Sequence, residues 1–111
     1  MQENGNIIHV SDSSFEKEVL RPGVPVVVDF YADWCGPCRM VAPTMERLSR
    51  EYAGKAVFAK LNTDDNQSTA MKYDVMSIPT VMVFADGVVK QKMIGAAPES
   101  QYRNMIDSVL K

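Results

Sequence analysis

Apolar residues in this chain fall into short runs separated by Gly, Pro, Asp and Asn. Ile7-Ile8-His9-Val10 is a brief apolar run that predicts a strand. Ser13 and Glu16 stand at capping-box spacing, Phe15, Val19 and Leu20 follow at helical spacing, and Arg21-Pro22-Gly23 ends that helix. Pro25-Val-Val-Val-Asp-Phe-Tyr31 is rich in β-branched residues and almost continuously apolar, the pattern of a strand covered on both faces. Val41, Met45, Leu48 and Tyr52 recur at i, i+4, i+7 and i+11, which predicts an amphipathic helix stopping near Gly54. Residues 56–61 read as a third strand and residues 67–73 as a short helix. Thr80–Ala85 and Val88–Ile94 flank Asp86-Gly87, a hairpin signal. Residues 98–110 form a last helix with Tyr102, Ile106, Val109 and Leu110 on one side. The order strand-helix-strand-helix-strand-helix-hairpin-helix predicts an α/β fold: a central mixed sheet of about five strands flanked by about four helices.

Composition narrows the function classes. The chain has 111 residues, 46% hydrophobic and 23% charged, an ordinary globular makeup. That length predicts a single domain over residues 1–111, with 1–6 a loose N-terminal extension. Twelve Lys and Arg face 14 Asp and Glu, for a net charge of −2, and no basic cluster exceeds a dipeptide. A nucleic-acid partner or an anionic membrane therefore has no electrostatic basis. No apolar run approaches the ~20 residues of a spanning helix. Residues 1–6 carry neither a basic nor an apolar leader pattern, so the expected location is the cytoplasm. Nothing in the pattern predicts an oligomer, and a monomer is expected.

Two cysteines, Cys35 and Cys38, and one histidine, His9, are present. A structural zinc site wants four N or S ligands, and these supply three at most. A lone Cys-x-x-Cys admits metal, redox and purely structural readings; its place at the junction of a predicted strand and helix favours redox. Its short spacing lets the pair switch between dithiol and disulfide. The first N–H groups of a helix lack partners and its dipole favours negative charge there, so a Cys35 thiolate is stabilised and its pKa falls below the ~8.5 of a free thiol. Cys35 is expected to be the more exposed, attacking sulfur, with Cys38 shielded one turn inside and positioned to resolve a mixed disulfide. Pro37 lacks an N–H that would be orphaned anyway, and Gly36 leaves room for a partner's backbone.

The string Val28-Asp-Phe-Tyr-Ala-Asp-Trp-Cys-Gly-Pro-Cys-Arg-Met-Val-Ala-Pro43 closely resembles the active-site segment of thioredoxins. Phe58-Ala-Lys-Leu-Asn62, Ser77-Ile-Pro-Thr80, Phe84-Ala-Asp-Gly87 and Ile94-Gly-Ala96 resemble later landmarks of that family in order and spacing. The resemblance runs from about Ile7 to the end. It implies a thioredoxin fold in which strand 80–85 lies antiparallel beside strand 26–31, bringing Pro79, after a cis peptide bond, next to Cys35. Read without it, Pro79 would simply begin a strand. The resemblance also implies a buried Asp29 that exchanges a proton with Cys38, accompanied by Lys60. Otherwise Asp29, a carboxylate in an apolar run, would be either buried or at a solvated edge position, and Lys60 an ordinary exposed strand residue.

The implied activity is protein disulfide reduction by a general dithiol donor, needing no cofactor or metal. The implied partners are a thioredoxin reductase and disulfide-containing protein substrates. Trp34, the only tryptophan, is expected as a lip of the substrate site rather than a core aromatic. With Gly36, Pro37, Ile78, Pro79, Gly95 and Ala96 it would form a small apolar contact patch. Two other functions fit the same cysteines: a thiol oxidase or isomerase, and a binding scaffold in which they are dispensable. Gly36-Pro37 resembles the reducing members. Pro43 is expected to kink the long helix. His9 is expected to be structural, and Met40, Met45, Met71, Met76, Met82, Met93 and Met105 to be core filler, with Met76 the one candidate for partner contact. Tyr31, Arg39 and the Met76-Ser77 pair depart from the family's commoner residues.

Overall fold

A computed structural model describes residues 6–111. Its elements run β1 (Ile7–His9), a π-helical segment (Glu16–Leu20), β2 (Val26–Tyr31), α1 (Gly36–Glu51), β3 (Val57–Asn62), α2 (Gln67–Lys72), β4 (Thr80–Ala85), β5 (Val88–Ile94) and α3 (Glu99–Leu110). The strands form one sheet in the order β1-β3-β2-β4-β5. β2 is parallel to β3, and β4 is antiparallel to both β2 and β5. The early strand–helix–strand crossovers require parallel pairing, and the hairpin supplies the antiparallel edge.

Side-chain alternation along β2 divides the core into two layers. Val27 packs with Val41, Met45, Leu48 and Tyr52 of α1 and with Tyr102, Met105 and Ile106 of α3. Val26, Val28 and Phe30 pack on the opposite face with Phe15, Val19, Leu61 and Phe84. The apolar stripes expected for both long helices are buried, and Met105 joins the α3 stripe. Arg103 bridges Glu51 and Glu99, and Arg47 pairs with Glu99, tying α1 to α3. These pairs are solvent-accessible and each contributes little.

Several local expectations are corrected. No side chain caps the first helical segment, so the box expected of Ser13 and Glu16 is not formed; the serines that pair are Ser11 and Ser14, in the turn before it. Ser11 N–H donates to Ser14 Oγ at 2.9 Å, and Ser14 N–H donates back to Ser11 Oγ at 3.3 Å. Within the segment itself, Arg21 N–H donates to the Glu16 carbonyl, closing a wider i to i+5 turn. Met45, Met82 and Met105 are core residues, but Met40, Met71 and Met76 are exposed. Their positions fall outside the stripes that face the sheet. Pro43 lies within α1, which continues through it to Glu51. At the β4–β5 turn, Asp86 and Gly87 have φ of 54° and 80°, the left-handed geometry that suits Asp-Gly. Asn6 is tied down: its N–H donates to Ser49 Oγ and its side-chain amide to the Ser49 carbonyl. The remainder of the expected loose extension lies outside the described residues.

Asp12 holds α2 from outside that helix. Its Oδ1 accepts Thr69 N–H at 2.9 Å and Thr69 Oγ1–H at 2.6 Å. Hydrogen bonding by Thr69 keeps the Asp12 carboxyl below its ordinary value. A lowered folded-state pKa gives stability that is present above the unfolded value and lost as pH falls through the folded one. Asp12→Ala is therefore expected to lower the thermal midpoint at neutral pH. The difference from the native protein should narrow as pH falls through and below the ordinary carboxyl value. Thermal melts of both proteins across that range check it.

Candidate active site

β2 ends at Tyr31, and the chain passes through Ala32, Asp33 and Trp34 into α1, whose N-cap is Cys35. Cys35 has extended backbone, with φ −85° and ψ 110°, and Pro37 occupies the first turn, where its missing N–H matters least. Cys35 and Cys38 form a disulfide, with Cα atoms 5.2 Å apart. Cys38 N–H donates to Cys35 Sγ at 3.2 Å. One orphan donor of the helix start therefore points at this sulfur, in the geometry that favours negative charge on it. The loop is held by Arg39, whose Nη1 donates to the Asp33 carbonyl at 2.6 Å.

The Ile78–Pro79 peptide bond is cis, and the Ile78 carbonyl oxygen lies 3.8 Å from Cys35 Sγ. Pro79 directly precedes β4, and its carbonyl accepts Gly95 N–H at 2.8 Å. Gly95, with φ 87°, has the left-handed backbone open to glycine. Thr80 Oγ1 donates to the Ser77 carbonyl, fixing the same segment. The expectation that Cys35 is the more exposed sulfur is corrected: both cysteines are 3% exposed in the disulfide form. Ala32, Tyr31 and Ile78 pack around the pair, so the segment before β4 covers Cys35 as the helix covers Cys38.

Asp29 is 4% exposed, on the central strand rather than an edge. Alternation puts it on the α1 side with Val27 and Tyr31. It lines a cavity of about 150 Å³ together with Cys38, Ala42, Arg39, Tyr31 and Lys60. Asp29 Oδ1 is buried and has no hydrogen-bond partner among the described residues. Burial pushes this carboxyl up to about 7, and the Lys60 charge, one strand over in register, acts against that rise. Lys60 Nζ also lies 4.5 Å from the centre of the Tyr31 ring. Trp34 is 68% exposed at the rim, and its Nε1–H donates to Asp64 Oδ2 at 2.9 Å. Asp64 was not foreseen from sequence, because it sits in a polar loop after β3 with no spacing relation to the cysteines. His9 is exposed on β1 at the far side of the sheet.

A thioredoxin family model matches residues 6–108. The chain is 47% identical to a thioredoxin of Pseudomonas aeruginosa, over 93% of this chain and 95% of that one. It is 45% identical to thioredoxin 1 of Synechococcus elongatus, over 91% and 94%. It is 49% identical to the chloroplastic M-type thioredoxin of Brassica napus, over 92% of this chain and 58% of that one. The chain belongs to the thioredoxin family. Its fold is the thioredoxin fold, and its activity is that of a thiol-disulfide oxidoreductase: protein disulfide reduction by reversible dithiol–disulfide exchange at Cys35-Cys38, through a mixed disulfide. Thioredoxins work through their own disulfide and need no metal. Among the described residues no helix is long and apolar enough to cross a membrane.

The Asp29 carboxyl sets a stability test. Its folded value near 7 lies above the ordinary 3.8, so the unfolded chain releases this proton first as pH rises. The native state therefore loses stability between about pH 4 and pH 7, and the full shift corresponds to about 4 kcal/mol. Asp29→Ala is expected to be more stable than the native protein by about 2–4 kcal/mol near pH 8, with the gain fading toward pH 4. Urea unfolding at several pH values checks this; a gain independent of pH would show that Asp29 does not titrate in the fold.

Proposed function

We propose that Cys35 is the attacking thiolate, Cys38 the resolving thiol, and Asp29 the group that exchanges a proton with Cys38. The observation that carries the reading is the Cys38 N–H donated to Cys35 Sγ at the start of α1. In the reduced protein the Cys35 thiolate attacks one sulfur of a substrate disulfide. A Cys35–substrate S–S bond forms, the substrate S–S bond breaks, and one substrate thiolate leaves to take a proton from water. Asp29 accepts the Cys38 proton, and the Cys38 thiolate attacks Cys35 Sγ. The Cys35–Cys38 bond forms, and the second substrate thiolate leaves and is protonated. Two electrons have passed to the substrate. A carboxyl poised near neutrality suits this transfer in both directions. Lys60 tunes Asp29 by its charge.

Trp34, Gly36 and Pro37 form the active-site loop, and Trp34, Ile78, Pro79, Gly95 and Ala96 the substrate-binding rim. The backbone at Ile78 would receive an extended substrate segment as an added strand. Two electrons return to the disulfide from a thioredoxin reductase, the usual donor of the family. The chain is read as a single monomeric thioredoxin domain over residues 1–111 without cofactor, working in a reducing compartment such as the cytoplasm. The Gly36-Pro37 dipeptide, which resembles that of reducing members, and the bacterial relatives support that reading.

Two measurements test it. Cys38→Ser should accumulate thiol-reversible covalent adducts with disulfide proteins, whereas Cys35→Ser should form none; adducts on Cys35→Ser alone would reverse the assignment. The Cys35-Cys38 couple, equilibrated in thiol buffers and followed by Trp34 fluorescence, should lie below the cytosolic glutathione poise of about −220 to −260 mV. A value well above it would place the protein with oxidases or isomerases. In single-turnover kinetics, Asp29→Asn should slow resolution by at least about tenfold near neutral pH while leaving the first attack intact.

A further inference from the structure

We propose that Met76 determines the substrate preference of this site. It forms one wall of a pocket that takes an apolar side chain beside the reacting half-cystine of a protein substrate. The inference rests on Cys35 being the attacking thiol. Met76 is 90% exposed, two residues before Ile78, which packs against the reactive disulfide. A cavity of about 200 Å³ is lined by Trp34, Thr63, Val75, Met76, Ser77 and Ile78. Four of these six are apolar and none is charged. The volume falls below the ~300–1,000 Å³ of small-molecule pockets and suits a single side chain.

Continuity with the disulfide decides what enters. Ile78 lines this cavity and also packs against Cys35, with its carbonyl 3.8 Å from the sulfur. An extended substrate segment with its half-cystine at Cys35 therefore brings a neighbouring side chain over the cavity. The two walls differ in stiffness. Trp34 is pinned by its hydrogen bond to Asp64. Met76 has an unbranched side chain and a polarizable thioether, and adapts to leucine, methionine or an aromatic ring. A glutamate placed here would lose water and meet only the Thr63 and Ser77 hydroxyls, with no cation to pair with, beside the Asp64 carboxylate that holds Trp34.

Peptides carrying a disulfide with Leu, Lys or Glu beside the half-cystine test the proposal, with turnover by the reduced protein as the readout. The Leu peptide should have the highest kcat/KM, and the Glu peptide should fall about tenfold below it. Met76→Ala should erase most of that ratio through KM, Met76→Leu should keep it, and Met76→Arg should shift preference toward Glu. An unchanged Leu-to-Glu ratio in Met76→Ala and Met76→Arg would overturn the proposal. So would a Lys peptide faster than the Leu peptide, which would assign the preference to Asp64. Reduction of a small symmetric disulfide by the native protein separates the two levels. Its failure would bring down the assignment of Cys35, whereas its success with a Met76-independent peptide ratio would bring down this inference alone.

Discussion

Strand β2 is hydrogen-bonded on one side to β3 and on the other to β4, and helices or loops cover both of its faces. Every side chain from Val26 to Phe30 is therefore buried. A strand so placed has no solvent-facing position for a polar residue, and Asp29 is taken into the core with its neighbours. The carboxyl end of this strand also aims the chain at the first turn of α1. Burial of one central strand thus creates both the perturbed carboxyl and the point where the disulfide sits.

At that point three backbone segments meet. The start of α1 directs an N–H at Cys35 Sγ, the Ile78 carbonyl approaches from the segment before β4, and Gly95 holds the Pro79 carbonyl from the end of β5. Their positions are set by the strand ends of the sheet. An exchange reaction needs little more than sulfurs held in line, a group that moves a proton near neutrality and a surface for the partner chain. An apolar residue would suit the layer of Asp29 better: the carboxyl is buried with no partner for its Oδ1 among the described residues, and it lines the same cavity as Cys38.

The exposed rim follows a different logic from the core. Trp34 and Met76 would be out of place on a surface chosen only for solubility, yet they stand on either side of one small cavity next to the sulfurs. Trp34 is restrained by Asp64 and Met76 is not, so the rim combines a fixed plane with an adaptable arm.

Local periodicity made most of the fold legible: the α/β class, all five strands, the α1 and α3 stripes and the Asp86-Gly87 turn. These depend on neighbours in the chain, and so does the electrostatic effect of a helix start on Cys35. The capping box expected of Ser13 and Glu16 does not form; Ser11 and Ser14 share that spacing and pair instead in the preceding turn, and only the backbone path selects between them. Met40 and Met71, expected in the core, are exposed because a methionine carries the same apolar signature inside and outside; Met76, the candidate for partner contact, is exposed as well. The equal burial of the two sulfurs depends on a segment more than 40 residues away, as the Ile78–Cys35 separation of 43 shows. By itself the sequence determined which segments are strands and helices and where a reactive pair of sulfurs sits, since these follow from short-range pattern. Local pattern left Asp29 open between core and edge, with only the resemblance implying a place beside Cys38; the tertiary structure decided that burial, the restraint of Trp34 by Asp64 and the equal cover of the two sulfurs. Each depends on contacts between distant segments, which no local period encodes.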